Sequence, residues 1–185
     1  MNTHKKHAAE FDEFVKRQQV DQSEDEGAFW DSERDEWLRY LEKLYSTVEK
    51  YLKPYVDGGT IQISRRQISL NEENIGEYQA NEMVLRIGRQ EVVFKPIGTL
   101  LIGTKGRVDV EGAAGKARLV LTDKNATKPE IRVTIKRADR VSSSGNEPTT
   151  DNDWTWKIAT NPPLISYLEL SEAALFDLVM EVSNG

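Results

Sequence analysis

The chain contains no cysteine. That single absence removes disulfides, thiolate nucleophiles, zinc–thiolate sites and iron–sulfur clusters. Histidine is almost as scarce: His4 and His7 are the two the chain has, both close to its start. Histidine is the usual acid–base group near neutral pH. With none in the body of the chain, serine–histidine and cysteine–histidine machinery is not expected. Long apolar runs are missing too. The longest lies near Ile97–Ile102 and is broken by Gly98 and Thr99, far short of the ~20 residues that span a bilayer. The opening MNTHKKHAAEF has no apolar stretch behind it, so a secretory leader is not expected. These absences point to a cytoplasmic protein with no membrane partner.

What is present fits one soluble domain. The 185 residues are 38% hydrophobic and 30% charged, and a chain of about this length buries a sizeable core. The net charge of -6 hides a segregation. Residues 1–60 carry 9 basic and 14 acidic side chains, residues 86–140 carry 13 and 6, and residues 141–185 carry 1 and 7. A basic centre therefore lies between two acidic ends.

Hydrophobic periodicity sets the expected elements. Residues 1–30 read as a tail, a short helix over Ala8–Val20 and an acidic link at Asp21–Glu26. Ser32 then offers a cap for a long amphipathic helix. Its stripe is Trp37, Leu41, Leu44, Val48, Tyr51 and Tyr55, widened by Leu38, Tyr45 and Leu52, and Gly58–Gly59 stops it. So regular a stripe suits either packing on the chain's own sheet or self-association.

After Gly59 the period becomes two. Ile61 and Ile63 have one parity, Ile68 and Leu70 the other, which predicts a bulge at Arg65–Arg66. Strands are expected over 75–79, 82–87, 91–95, 99–102, 107–111, 116–121, 131–136, 154–158 and 164–170, punctuated by glycine turns such as Gly88-Arg89-Gln90. A polar loop at 138–153 is expected to be mobile. Ser171 caps a terminal helix carrying Leu175, Leu178, Val179 and Val182. The expected fold is α+β over 31–185: a long N-terminal amphipathic helix packed on a curved antiparallel sheet of seven to nine strands, closed by a C-terminal helix.

The segments EVVFKPIGTLLIGTKGRVDVEGAAGKARLVLTDKN and WTWKIAT, with the ending LVMEVSNG, resemble stretches of small bacterial proteins that carry no assigned activity. The resemblance implies a bacterial cytosolic setting. It transfers no functional residue.

Catalytic motifs fail on inspection. A phosphate loop needs Gly, four residues, then Gly-Lys-Ser/Thr. At Gly115-Lys116 the first position is Val110 and the hydroxyl position is Ala117. Asp109 and Glu111 share one strand face with Arg107 beside them, but no acid-x-Lys follows to complete a metal-nuclease pattern. Asp151-Asn152-Asp153 lacks the rest of a calcium loop. No cofactor or metal is expected, although chemistry by a carboxylate or a lysine stays open.

The basic centre is the candidate site. Arg107, Lys116, Arg118, Arg132, Lys136 and Lys157 alternate with apolar residues on their strands, and Arg137 and Arg140 extend the set. Trp154 and Trp156 fall on the apolar parity and read as core. The expectation is a non-catalytic protein–protein interaction module that uses this basic sheet face and the aromatic-rich helix. Its partner would be a protein of unknown identity or a second copy. Two other readings stand beside it: a carrier of a small hydrophobic ligand in a sheet–helix cavity, and nucleic-acid binding by the basic face.

Overall fold

The computed structural model describes residues 3–99, 104–129 and 153–184. The first element is the helix α1, Thr3–Asp57. Seven strands follow: β1 Ile61–Glu72, β2 Gly76–Ile87, β3 Gln90–Gly98, β4 Gly106–Glu111, β5 Lys116–Asp123, β6 Trp154–Ala159 and β7 Tyr167–Glu169. The helix α2, Glu172–Asn184, ends the chain. The strands pair with their sequence neighbours in the order β1-β2-β3-β4-β5-β6-β7, every pair antiparallel. Among the described residues β1 and β7 do not pair with each other, so the sheet is open. This is the expected α+β architecture.

α1 lays its stripe on the sheet. Trp37, Leu41, Leu44, Tyr45, Val48 and Leu52 are buried in one cluster with Met83, Leu85, Val92, Phe94, Val108, Val110, Leu119 and Leu121. Burying each such side chain contributes about 1.5–3 kcal/mol. The stripe from Trp37 to Leu52 therefore serves the chain's own core, while Tyr55 at its end stays 45% exposed. Tyr45 adds direction: its hydroxyl donates to the Asn81 carbonyl at 2.5 Å. Beyond Asp57 the chain turns at Gly59, where φ is 72°, and Thr60 N donates to the Tyr55 carbonyl at 2.9 Å. α2 closes the same side, with Leu175, Leu178, Val179 and Val182 buried. Its first turn is capped as expected, Ala174 N donating to Ser171 Oγ at 3.2 Å.

Several local expectations are corrected. The tail, short helix and acidic link expected over residues 1–30 do not break the helix: α1 runs from Thr3 through Asp21–Glu26 and Ser32, which caps nothing. No proline precedes Pro54 and the single glycine is Gly27. Asp, Glu and Ser cost a helix only fractions of a kcal/mol each, and one glycine about 1. The 75–79 and 82–87 strands are one strand, β2. The last strand shortens from 164–170 to Tyr167–Glu169.

The bulge at Arg65–Arg66 is also absent: β1 and β2 stay in unbroken register from Ile61↔Ile87 to Glu72↔Gly76. The parity change has another cause. β3 pairs with β2 only from Met83 to Ile87. Beyond Met83, β1 and β2 continue as a two-stranded ribbon, and such ribbons twist most strongly. The ribbon turns over, so Tyr78 and Ala80 reach the same core as Met83 and Leu85 although their parity is opposite. Glu72 fastens the turned end. Its carboxylate accepts from Tyr78 Oη, from Thr99 N at 2.9 Å and from Thr99 Oγ1 at 2.7 Å.

The 131–136 strand, the 138–152 part of the loop and residues 100–102 of the 99–102 strand lie outside the described residues. No described helix is long and apolar enough to cross a membrane.

Candidate functional site

Both helices cover one face of the sheet. The other face is built by the alternate residues: Lys95 on β3; Arg107, Asp109 and Glu111 on β4; Lys116, Arg118 and Val120 on β5; Lys157 and Ala159 on β6. Pairing brings Lys95 opposite Asp109, Asp109 opposite Arg118 and Arg118 opposite Ala159. Of the basic candidates, Arg107, Lys116, Arg118 and Lys157 thus share one face. Arg132, Lys136, Arg137 and Arg140 lie outside the described residues.

The four described candidates do different work. Arg107 grips Asp109 with two hydrogen bonds, Nε to Oδ1 at 2.6 Å and Nη2 to Oδ2 at 2.8 Å. Lys116 Nζ pairs with Glu111 Oε1 at 2.9 Å. That bond raises the lysine pKa and lowers the carboxyl pKa. The pair is exposed, so it contributes little to stability.

Lys157 is only 3% exposed. Its ammonium donates to the carbonyls of Lys124 at 2.6 Å and Ala126 at 2.9 Å, and pairs with Glu169 at 2.9 Å. All three of its donors are occupied. It pins the chain leaving β5 across β6, and so has no donor left for a partner. Arg118, by contrast, makes no hydrogen bond or ion pair among the described residues, and the same holds for Lys95.

The centre of the face is therefore Lys95, Arg107 and Arg118 around one carboxylate, Asp109, already held by Arg107. Neighbouring strands are spaced by roughly 4.8 Å, so Lys95 and Arg118 flank Asp109 within about 10 Å of each other. Sequence alternation located this face. It did not reveal that Lys157 is buried, nor that Lys95 belongs to the group. Pairing register is the signal that adds Lys95, and register is not local information.

Asp109 and Glu111, the carboxylates weighed for metal chemistry, are held by Arg107 and Lys116. No group of three His, Asp or Glu side chains able to hold a metal ion occurs among the described residues. Trp156 is core, as expected: it is 7% exposed, its Nε1 donates to the Tyr40 carbonyl at 2.9 Å, and its ring lies 5.9 Å from that of Trp37.

Clefts open on the surface formed by the described residues. One of about 630 Å³ lies between α1 and β1, lined by Glu49, Lys50, Lys53, Asp57 and Arg65 among others. Charged walls of this kind do not suit a hydrophobic ligand. Another, of about 270 Å³, lies between α2 and strands β5 to β7. No family model, curated protein or solved structure matches the chain.

Proposed function

We propose that this chain is a non-catalytic binding protein that meets another protein on the helix-free face of its sheet, at the side chains of Lys95, Arg107 and Arg118. Further along that face Val120, Ala159 and Tyr167 are covered by Ala126 and Ile165. The observation that carries the reading is the three-cation cluster of Lys95, Arg107 and Arg118 around Asp109. Two of its cations, Lys95 and Arg118, make no hydrogen bond or ion pair among the described residues, although Lys95 lies close enough to Glu111 to help lower its pKa. Such a local excess attracts an acidic surface, speeds encounter and disfavours wrong partners. The expected share of the aromatic helix is withdrawn from this proposal, because Trp37 and Tyr45 are fully buried against the sheet.

The stripe of α1 and the facing strands share one buried cluster of side chains, and the cleft beside them has charged walls, which gives the ligand-carrier reading little support. Acidic groups interleaved on the helix-free face weaken the nucleic-acid reading, since a phosphate backbone favours an unbroken basic track. A cytoplasmic setting is part of the same proposal.

The test compares capture by immobilised full-length protein with capture by Lys95→Glu/Arg118→Glu. Neither residue makes a hydrogen bond or ion pair among the described residues. We expect one protein that is retained by the wild type at low salt, released as screening rises, and not retained by the variant. Identical capture by both proteins, or retention of nucleic acid alone, overturns the reading.

A further inference from the structure

The smaller cleft differs in character from the helix-free face. Its lining is apolar along Ile158 of β6, Leu168 of β7 and Leu178 of α2, with Ala117 of β5, and polar at one end, where Thr160 and Asn161 stand. Leu168 remains 51% exposed although it stands opposite Ile158 in the sheet. The wall is α2, which presents Asp177 and Glu181 one helical turn apart. Neither carboxylate makes an ion pair or hydrogen bond among the described residues. Two like charges a turn apart repel, and here they stand at the rim of the cleft with no cation paired to them among the described residues. A volume of about 270 Å³ accepts one or two side chains rather than a cofactor.

We propose that this cleft receives a cationic segment of a protein partner, with one branched apolar side chain seated on Ile158, Leu168 and Leu178. Lysine or arginine on either side of that anchor then meets Asp177 and Glu181. The inference rests on the protein-binding reading above and gives the partner a second feature: an acidic patch for Lys95 and Arg118, and a basic–apolar segment for the cleft. The apolar anchor supplies affinity by leaving water, and the flanking cations set which segments are admitted.

The experiment follows backbone amide shifts of the full-length protein on adding the peptide acetyl-Arg-Leu-Arg-amide. Acetyl-Glu-Leu-Glu-amide and acetyl-Arg-Ser-Arg-amide are the controls. We expect shifts grouped at Ile158, Leu168, Asp177, Leu178 and Glu181 from the first peptide and much weaker effects from the other two. Asp177→Asn/Glu181→Gln is expected to weaken the first peptide about fivefold.

Absence of shifts, scattered shifts, or equal binding of the glutamate peptide overturns the proposal. So does a cleft that accepts the peptide only after Arg132→Ser/Lys136→Ser, because the occupant is then this chain's own basic stretch. The two readings fail separately. Capture that depends on Lys95 and Arg118, with a cleft silent to peptide, sinks only the cleft. Peptide binding with no partner on the helix-free face sinks only the sheet reading.

Discussion

Gly106, the first residue of β4, lies flat against the six-membered ring of Trp37: a Cβ placed on that glycine would overlap the ring. The contact joins α1 to the centre of the sheet through the largest fully buried side chain of the core. The ring cannot swing aside without disturbing Trp156, 5.9 Å away. Gly106→Ala is therefore expected to destabilise the fold by about 1–3 kcal/mol, the usual cost of overpacking. Urea unfolding reads it as a lowered midpoint at unchanged slope. A midpoint equal to that of the wild type would mean that α1 does not sit this close to β4.

Gly98 is constrained in a different way. Its φ of 140° lies where side chains are strained, and a Cβ there would come within 2.8 Å of the Glu72 carboxyl carbon. Gly98→Ala should loosen the fastening of the ribbon end. Faster amide exchange at Tyr78 and Thr99, with Leu119 and Leu121 unchanged, is the expected pattern. Uniform acceleration throughout the sheet would place the effect elsewhere.

Within the basic set, the burial of Lys157 sets it apart from Lys116. Lys157→Met removes the donor for two backbone carbonyls and leaves Glu169 without its partner. A cost of about 1 kcal/mol follows from the lost bonds to these half-buried acceptors. Lys116→Met removes an exposed pair and should leave the unfolding midpoint where it was. Equal effects of the two substitutions would contradict the buried position of Lys157.

These cases show what local sequence carries. The stripe from Trp37 to Leu52, the Ser171 cap and the α2 positions Leu175 to Val182 were readable because each depends on residues within a turn or two. Alternation on β4 to β6 placed Arg107, Lys116, Arg118 and Lys157 on one face for the same reason. The ribbon was half legible. The parity change between Ile63 and Ile68 is in the sequence, but its cause is the ending of β3 pairing at Phe94, a contact between distant residues. The burial of Lys157 is illegible on the same ground: its acceptors come from Lys124, Ala126 and Glu169. The acidic stretch Asp21–Glu26 suggested a link by composition, whereas a helix stops at glycine, proline or a cap, and none intervenes with enough effect.

The buried phenols Tyr45 and Tyr78 set the alkaline limit. Burial pushes both pKa values well above the ordinary 10, and the neighbouring Glu72 carboxylate pushes Tyr78 further. In the unfolded chain each phenol ionises near its ordinary value, while in the fold it stays protonated. Their contribution is complete below pH about 10 and is lost progressively as pH rises above it, because only the unfolded state releases the protons. Unfolding free energy should therefore fall steeply on the alkaline side. Tyr45→Phe makes a clean comparison. It costs about 1 kcal/mol at neutral pH through the lost bond to the Asn81 carbonyl, yet its stability should fall less between neutral pH and pH about 11 than that of the wild type. Ultraviolet titration of the native protein should show a phenolate fraction that appears only together with the loss of tertiary signal. A Tyr45→Phe protein with the same alkaline slope as the wild type would show that this hydroxyl is in contact with water and not enclosed between α1 and the sheet.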